Sequence, residues 1–256
     1  MSDLLRATSI ECFKLRRTLA LWASLLVPLL VTVMTTALGL SRGTGARFLP
    51  EQVTPWDGMT GVVLSLWCLV GLPLFVALMT ALLAGLEHRE HAWRHLFALP
   101  IPRWTIYVAK LLVGGGLLCL SSCVLAVGMA LEGVLIHTLR PDLGLSLPIP
   151  WDLILLRTLS FTLASALLLA VQTWVAIRWR SFVVALGLGI GGAVTTVVLR
   201  NVNESSSFAP VARFFPWSQP YFAFTYPQAS IFVVAILGGV CIAALGCWEV
   251  VRRDVE

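Results

Sequence analysis

Residues 60–86 read TGVVLSLWCLVGLPLFVALMTALLAGL, and residues 87–110 continue as EHREHAWRHLFALPIPRWTIYVAK. The first string contains no Asp, Glu, Lys, Arg or His. It exceeds the roughly 20 apolar residues with which a helix crosses about 30 Å of hydrocarbon. The second string opens with two glutamates, three histidines and two arginines between Glu87 and His95, then breaks at Leu-Pro-Ile-Pro-Arg. The two together read as a membrane span followed by a polar connection.

Five further runs of the same kind lie on either side, at 19–40, 106–131, 153–177, 182–199 and 230–248. They predict an all-α polytopic membrane protein with six transmembrane helices in a single domain, 1–256. Composition agrees, because only 12% of the 256 residues are charged and 58% are hydrophobic. A soluble domain carries about 25% charged residues, and half of that cannot cover a globule. The six cysteines fall in apolar runs or in the N-terminal segment and include no C-x-x-C pair, so they read as small apolar side chains.

The cationic residues set the predicted orientation. Twelve lie in the N-terminal segment, 87–110, 178–180 and the C-terminal tail; six lie in the alternate segments. The bias places both termini in the cytoplasm. Arg157, just inside the fourth run, is close enough to its end to snorkel.

The polar connection carries three candidate features. At 100° per residue, His88, His91 and His95 share about 60° of helix surface. The H-E-x-x-H spacing is missing and Arg89 falls among them, so a metal site is set aside. Trp93, Leu96 and Phe97 occupy the opposite side, and Glu90 and Arg94 form an i,i+4 pair. Pro100 and Pro102 stop the helix. Residues 87–99 are thus expected as a short amphipathic helix at the membrane surface.

Residues 1–18 are expected as a second surface helix. Its arc is Leu4, Leu5, Thr8, Cys12 and Leu15, with Arg6, Lys14 and Arg17 turned away, which suits an anionic leaflet. Residues 200–229 are aromatic and proline-broken, as expected of an outer segment at headgroup level. Gly187 and Gly191 form a G-x-x-x-G that suits either packing within the chain or a seam between two chains.

Groups for chemistry are sparse. Glu132 sits near the outer boundary, and Gln172 is the main strongly polar residue well inside a span. No catalytic constellation or metal set emerges, and no G-x-x-x-x-G-K-[ST] loop is present to cradle a nucleotide. Any use of ATP requires a second polypeptide.

Three strings carry a resemblance. In 91–110 they are Trp93, Arg94, Leu96, Leu99, Pro100, Arg103 and Lys110, preceded by Glu87 or Glu90. ECFKLRRT contributes Glu11, Lys14, Leu15, Arg16 and Arg17; RFFPWSQP contributes Phe215, Pro216, Trp217, Ser218 and Pro220. Taken together in chain order, the strings resemble those of ABC-2 type permeases, and among those the lantibiotic-immunity group. The chain departs from the group in its histidines and in PIPRW.

The resemblance implies a transport subunit of the bacterial cytoplasmic membrane, with a second permease chain, identical or sibling, and two copies of an ABC ATPase. The chain then holds no cofactor of its own; ATP and Mg sit on the ATPase. Glu87, Glu90, Trp93, Arg94, Leu96, Pro100 and Arg103 become the ATPase-coupling residues, and Glu11, Lys14, Arg16 and Arg17 those of the interfacial helix. Phe215, Pro216 and Trp217 mark the extracytoplasmic segment. The implied cargo is an amphipathic antimicrobial peptide, with no nucleic-acid partner. Three alternatives stand beside it: an ABC-2 exporter of another antibiotic, lipid or oligosaccharide, an enzyme or accessory acting on a lipid headgroup, and a sensory or structural component. The enzyme reading has only Arg42, Arg47, Glu51 and Asp57 clustered outside, without fixed spacing.

Overall fold

In the computed structural model the chain is described over residues 3–15, 18–42, 54–89, 102–179, 181–200 and 209–252. These residues are almost entirely helical, with no strand among them. Six helical stretches are long and apolar enough to cross a membrane: Leu19–Ser41, Pro55–Gly85, Trp104–Leu139, Trp151–Arg178, Phe182–Leu199 and Ala229–Arg252.

The first elements are α1 (Asp3–Leu15) and α2 (Leu19–Arg42). The second span is built from α3 (Pro55–Leu66), a π-turn (Trp67–Gly71) and α4 (Leu72–Arg89). A capping box starts it: Thr54 Oγ1 accepts from Asp57 N while Thr54 N donates to Asp57 Oδ2, with Pro55 in the first turn. The π-turn precedes Pro73, which has no N–H to offer the preceding turn. Leu72 N–H instead reaches back five residues to Trp67 O. The Trp67 ring then folds over Gly71, where a Cβ would stand 2.8 Å from Cε3.

The third span, α5 (Arg103–Leu139), continues without interruption through Gly114, Gly115 and Gly116. It runs eight residues beyond the end expected from the apolar run, because Glu132 finds a partner inside the bundle. The fourth span is α6 (Trp151–Ala164) and α7 (Ala166–Arg178), offset by a turn at Ser165. Then follow α8 (Phe182–Leu199), the short α9 (Ala209–Phe214) and α10 (Gln219–Thr225), and α11 (Ala229–Arg252).

The second, third and fourth spans hold the core, around Met59, Trp67, Phe75, Met79, Leu125, Met129 and Phe161. α2 packs along α5, α8 along α4, and α11 along α7. These three outer helices leave much of their surface facing away from the bundle, including Leu30, Val33, Val183, Val194, Leu237 and Val240. Such faces suit lipid or another helix.

Close approach uses glycines. Gly239 of α11 lies over the backbone of Ala166, at the break in the fourth span, with a Cβ position only 3.2 Å from Ala166 O. Gly189 and Gly192 form the buried face of α8: the former meets Ala77, and the latter accepts the Trp217 indole. Gly187 and Gly191 are exposed on the other side, and no described atom comes within 4 Å of a Cβ built there. The small-residue spacing is therefore double, and among the described residues the packing uses only one set.

The described part of the aromatic segment, 209–226, packs partly against the bundle. Phe215 stacks on Trp217 at 5.1 Å, Trp217 is buried, and α10 packs chiefly on α6. A Gly192→Leu substitution should eject the indole from this notch. Overpacking of this kind is worth about 1–3 kcal/mol, and the expected readout is a lower melting temperature in detergent than the wild-type chain.

Candidate functional site

The N-terminal strings meet the third span at one end of the bundle. α1 packs on α5, with Ala7 and Glu11 at the centre of its inward face. Leu5, Cys12, Ile10 and Phe13 are exposed. The expected arc of Leu4, Leu5, Thr8, Cys12 and Leu15 is thus displaced around the helix. The reason is a long-range ion pair, which outweighs apolar periodicity.

Lys110 is 2% exposed and Glu11 is 5% exposed. Lys110 Nζ donates to Glu11 Oε2 at 3.1 Å and to Leu83 O of α4 at 2.9 Å. Glu11 Oε1 accepts from Lys14 Nζ at 2.8 Å. One ammonium group therefore joins α1, α4 and α5. Burial, the largest single influence on Glu11, pushes its carboxyl up. The Lys110 charge and the Lys14 hydrogen bond and charge together outweigh it, leaving the carboxyl below its usual range.

Glu87 belongs to the last turn of α4, and Arg103 is the first residue of α5. The remaining expected coupling residues, Glu90, Trp93, Arg94, Leu96 and Pro100, lie outside the described residues, as do His91, His95, Arg16 and Arg17. In the chain, Leu83 precedes and Lys110 follows the 87–103 connection, and the two meet at the junction with Glu11. A second ionic tie joins α7 to α11, where Glu249 accepts from Trp174 Nε1 at 2.8 Å and pairs with Arg178 Nε at 2.8 Å.

Other polar ties anchor the opposite end. Arg157, near the end of its run, has partners of its own: its Nη2 pairs with Asp57 Oδ1 at 2.9 Å, and its Nη1 donates to Asp57 O at 3.0 Å and to Thr60 Oγ1. Asp57 thus both caps α3 and binds α6. Arg140 Nη1 donates to Leu40 O at 2.7 Å, and Trp56 Nε1 to Ser146 O at 2.8 Å. Glu132 is buried, with Thr35 Oγ1 donating to its Oε2 at 2.9 Å. Sequence reading missed each of these pairings. The available signal was an ionisable residue inside a run otherwise apolar: Lys110, Glu132 and Arg157 each had to find a partner.

Six membrane-spanning helices with buried polar ties at their ends define a polytopic membrane protein. The chain matches the family described as ABC-2 family transporter protein over residues 7–196. It belongs to that family, whose members are membrane transport subunits, not themselves catalytic, that partner an ABC ATPase subunit. No curated protein and no solved structure matches the chain.

The Glu11 pair gives a pH signature. A carboxyl held below its usual 4.5 in the folded chain contributes stability that is complete above that value and is lost as pH falls through the lowered one. The melting-temperature gap between wild type and Glu11→Gln should therefore be constant from neutral pH down to about 5 and close on further acidification.

Proposed function

We propose that this chain is the permease of an ABC exporter that moves an amphipathic, lantibiotic-like peptide from the membrane to the outside and so protects the cell that makes or meets it. Both termini face the cytoplasm of a bacterial cell, and residues 87–99 form the coupling helix that seats on the ATPase. The observation that carries the transport reading is the family match over 7–196, which runs through α1, the 87–110 connection and the first five spans.

A chain without a phosphate-cradling loop responds to ATP only through a protein surface. The basic, aromatic connection at 87–103 has the composition of such a surface. Charge placement supports its cytoplasmic side. The cargo assignment rests on the three strings shared with the lantibiotic-immunity group. A second permease chain, identical or sibling, packs on the exposed Gly187/Gly191 face. The openness of that face in the described residues supports a seam between chains over packing within one.

Two expected outcomes test this reading. The chain should co-purify with an ABC ATPase subunit, and Trp93→Ala with Arg94→Glu should abolish both that association and ATP-driven release of a lantibiotic from vesicles. Retained binding and release would remove the coupling assignment; ATPase association without peptide release would remove only the cargo. Gly187→Leu with Gly191→Leu should leave the melting temperature of detergent monomers unchanged while disrupting permease pairs, read by crosslinking in membranes.

A further inference from the structure

The Glu11–Lys110–Leu83 junction has a placement that bundle stability alone does not call for. Lys110 lies about two helical turns past the start of α5, and Leu83 a similar distance before the end of α4. The ammonium group thus bridges the two helices that flank the polar connection, at a matched level, and reaches α1 at the same time. All three partners are polar groups in a dry setting, where such bonds are electrostatically strong and awkward to exchange for water. α1 packs along α5, and Ala7 and Glu11 are the buried residues at the centre of that contact.

We propose that Glu11 and Lys110 are a positioning pair that locks α1, α4 and α5 into one rigid unit, so that motion imposed at this end moves three elements together instead of bending the joint between α4 and α5. The proposal rests on the transport reading for the source of the motion and on geometry alone for the rigidity. Both residues are buried within the packing of α1, α4 and α5. Their action is mechanical: Lys110 fixes the separation of α4 and α5, and Glu11 carries α1 with them. Lys14, on the outer flank of Glu11, supplies a second cation that keeps the carboxylate in place.

The test uses the full chain in lipid vesicles with its ABC ATPase subunit. Spin labels at Ser9→Cys on α1 and Leu112→Cys on α5, both exposed positions, report the separation of the two helices on a chain otherwise free of cysteine. In the wild-type background the distance distribution should be narrow and the same in nucleotide-free and vanadate-trapped complexes. Removing both charges with Glu11→Gln and Lys110→Met avoids leaving one buried ion alone, so this variant folds. It should nonetheless show a broadened distribution and about tenfold weaker stimulation of ATP hydrolysis by the permease. Lys110→Arg, which keeps the cation, should restore both readouts.

A wild-type distance that changes on trapping, or a neutral pair as narrow and as well coupled as wild type, would overturn the proposal. Failure of Lys110→Arg to rescue would do the same. A wild-type chain that binds no ATPase would sink the transport reading instead, while the label distances in vesicles without nucleotide would still judge the rigid unit.

Discussion

A lysine ammonium buried in an apolar bundle has to be compensated, and at Lys110 the compensation organises one whole end of the molecule. Moving such an ion out of water is penalised by several kcal/mol even after relaxation. The penalty is offset here by a carboxylate from α1 and a main-chain carbonyl from α4. Neither partner is near Lys110 in sequence, so the charge fixes tertiary geometry: it sets how far α4 stands from α5 and which face α1 turns inward. α1 lies outside the six spans, yet its Glu11 is tied to Lys110 inside the bundle.

The rest of the bundle follows from how little the hydrophobic effect does between helices in lipid. Apolar side chains gain nothing by leaving acyl tails for one another, so contact is made by close packing and by hydrogen bonds. Gly189, Gly192 and Gly239 supply the first, admitting Ala77, Trp217 and the Ala166 backbone. Asp57–Arg157, Thr35–Glu132 and Arg178–Glu249 supply the second. The ionic ties at Asp57–Arg157 and Arg178–Glu249 sit near helix ends, where water reaches, while Thr162 Oγ1 donates to Ser122 Oγ at 2.8 Å at the middle of α5.

Span number and approximate placement were legible because the length of an apolar run is a local property. The capping box of Thr54 and Asp57 is local as well, yet in the sequence Asp57 stands out only as one of an outer polar cluster with Arg42, Arg47 and Glu51. What could not be read was pairing at long range. Glu11 looks like a solvated residue on a basic helix until Lys110, 99 residues away, is placed beside it. Arg157 invited a snorkelling reading because it lies near the end of its run, and its partner Asp57 stands 100 residues earlier. The glycine spacing in the fifth span was visible, but spacing alone does not say which of two interleaved sets turns inward. Trp217 in the Gly192 notch, 25 positions on, decides that.

The uninterrupted length of α5 ties the protein to its bilayer. Its 37 residues extend roughly 55 Å at 1.5 Å per residue, nearly twice a hydrocarbon core of about 30 Å. Even at a tilt of about 40°, the upper end of the usual range, such a rod rises some 42 Å, the depth of a leaflet pair with its headgroups. The Glu11–Lys110 tie sits towards one end and the Arg140–Leu40 tie at the other. Hydrophobic mismatch in thinner or thicker lipid changes the inclination of this rod and displaces both tethered ends in concert, making acyl-chain length a lever on the whole assembly.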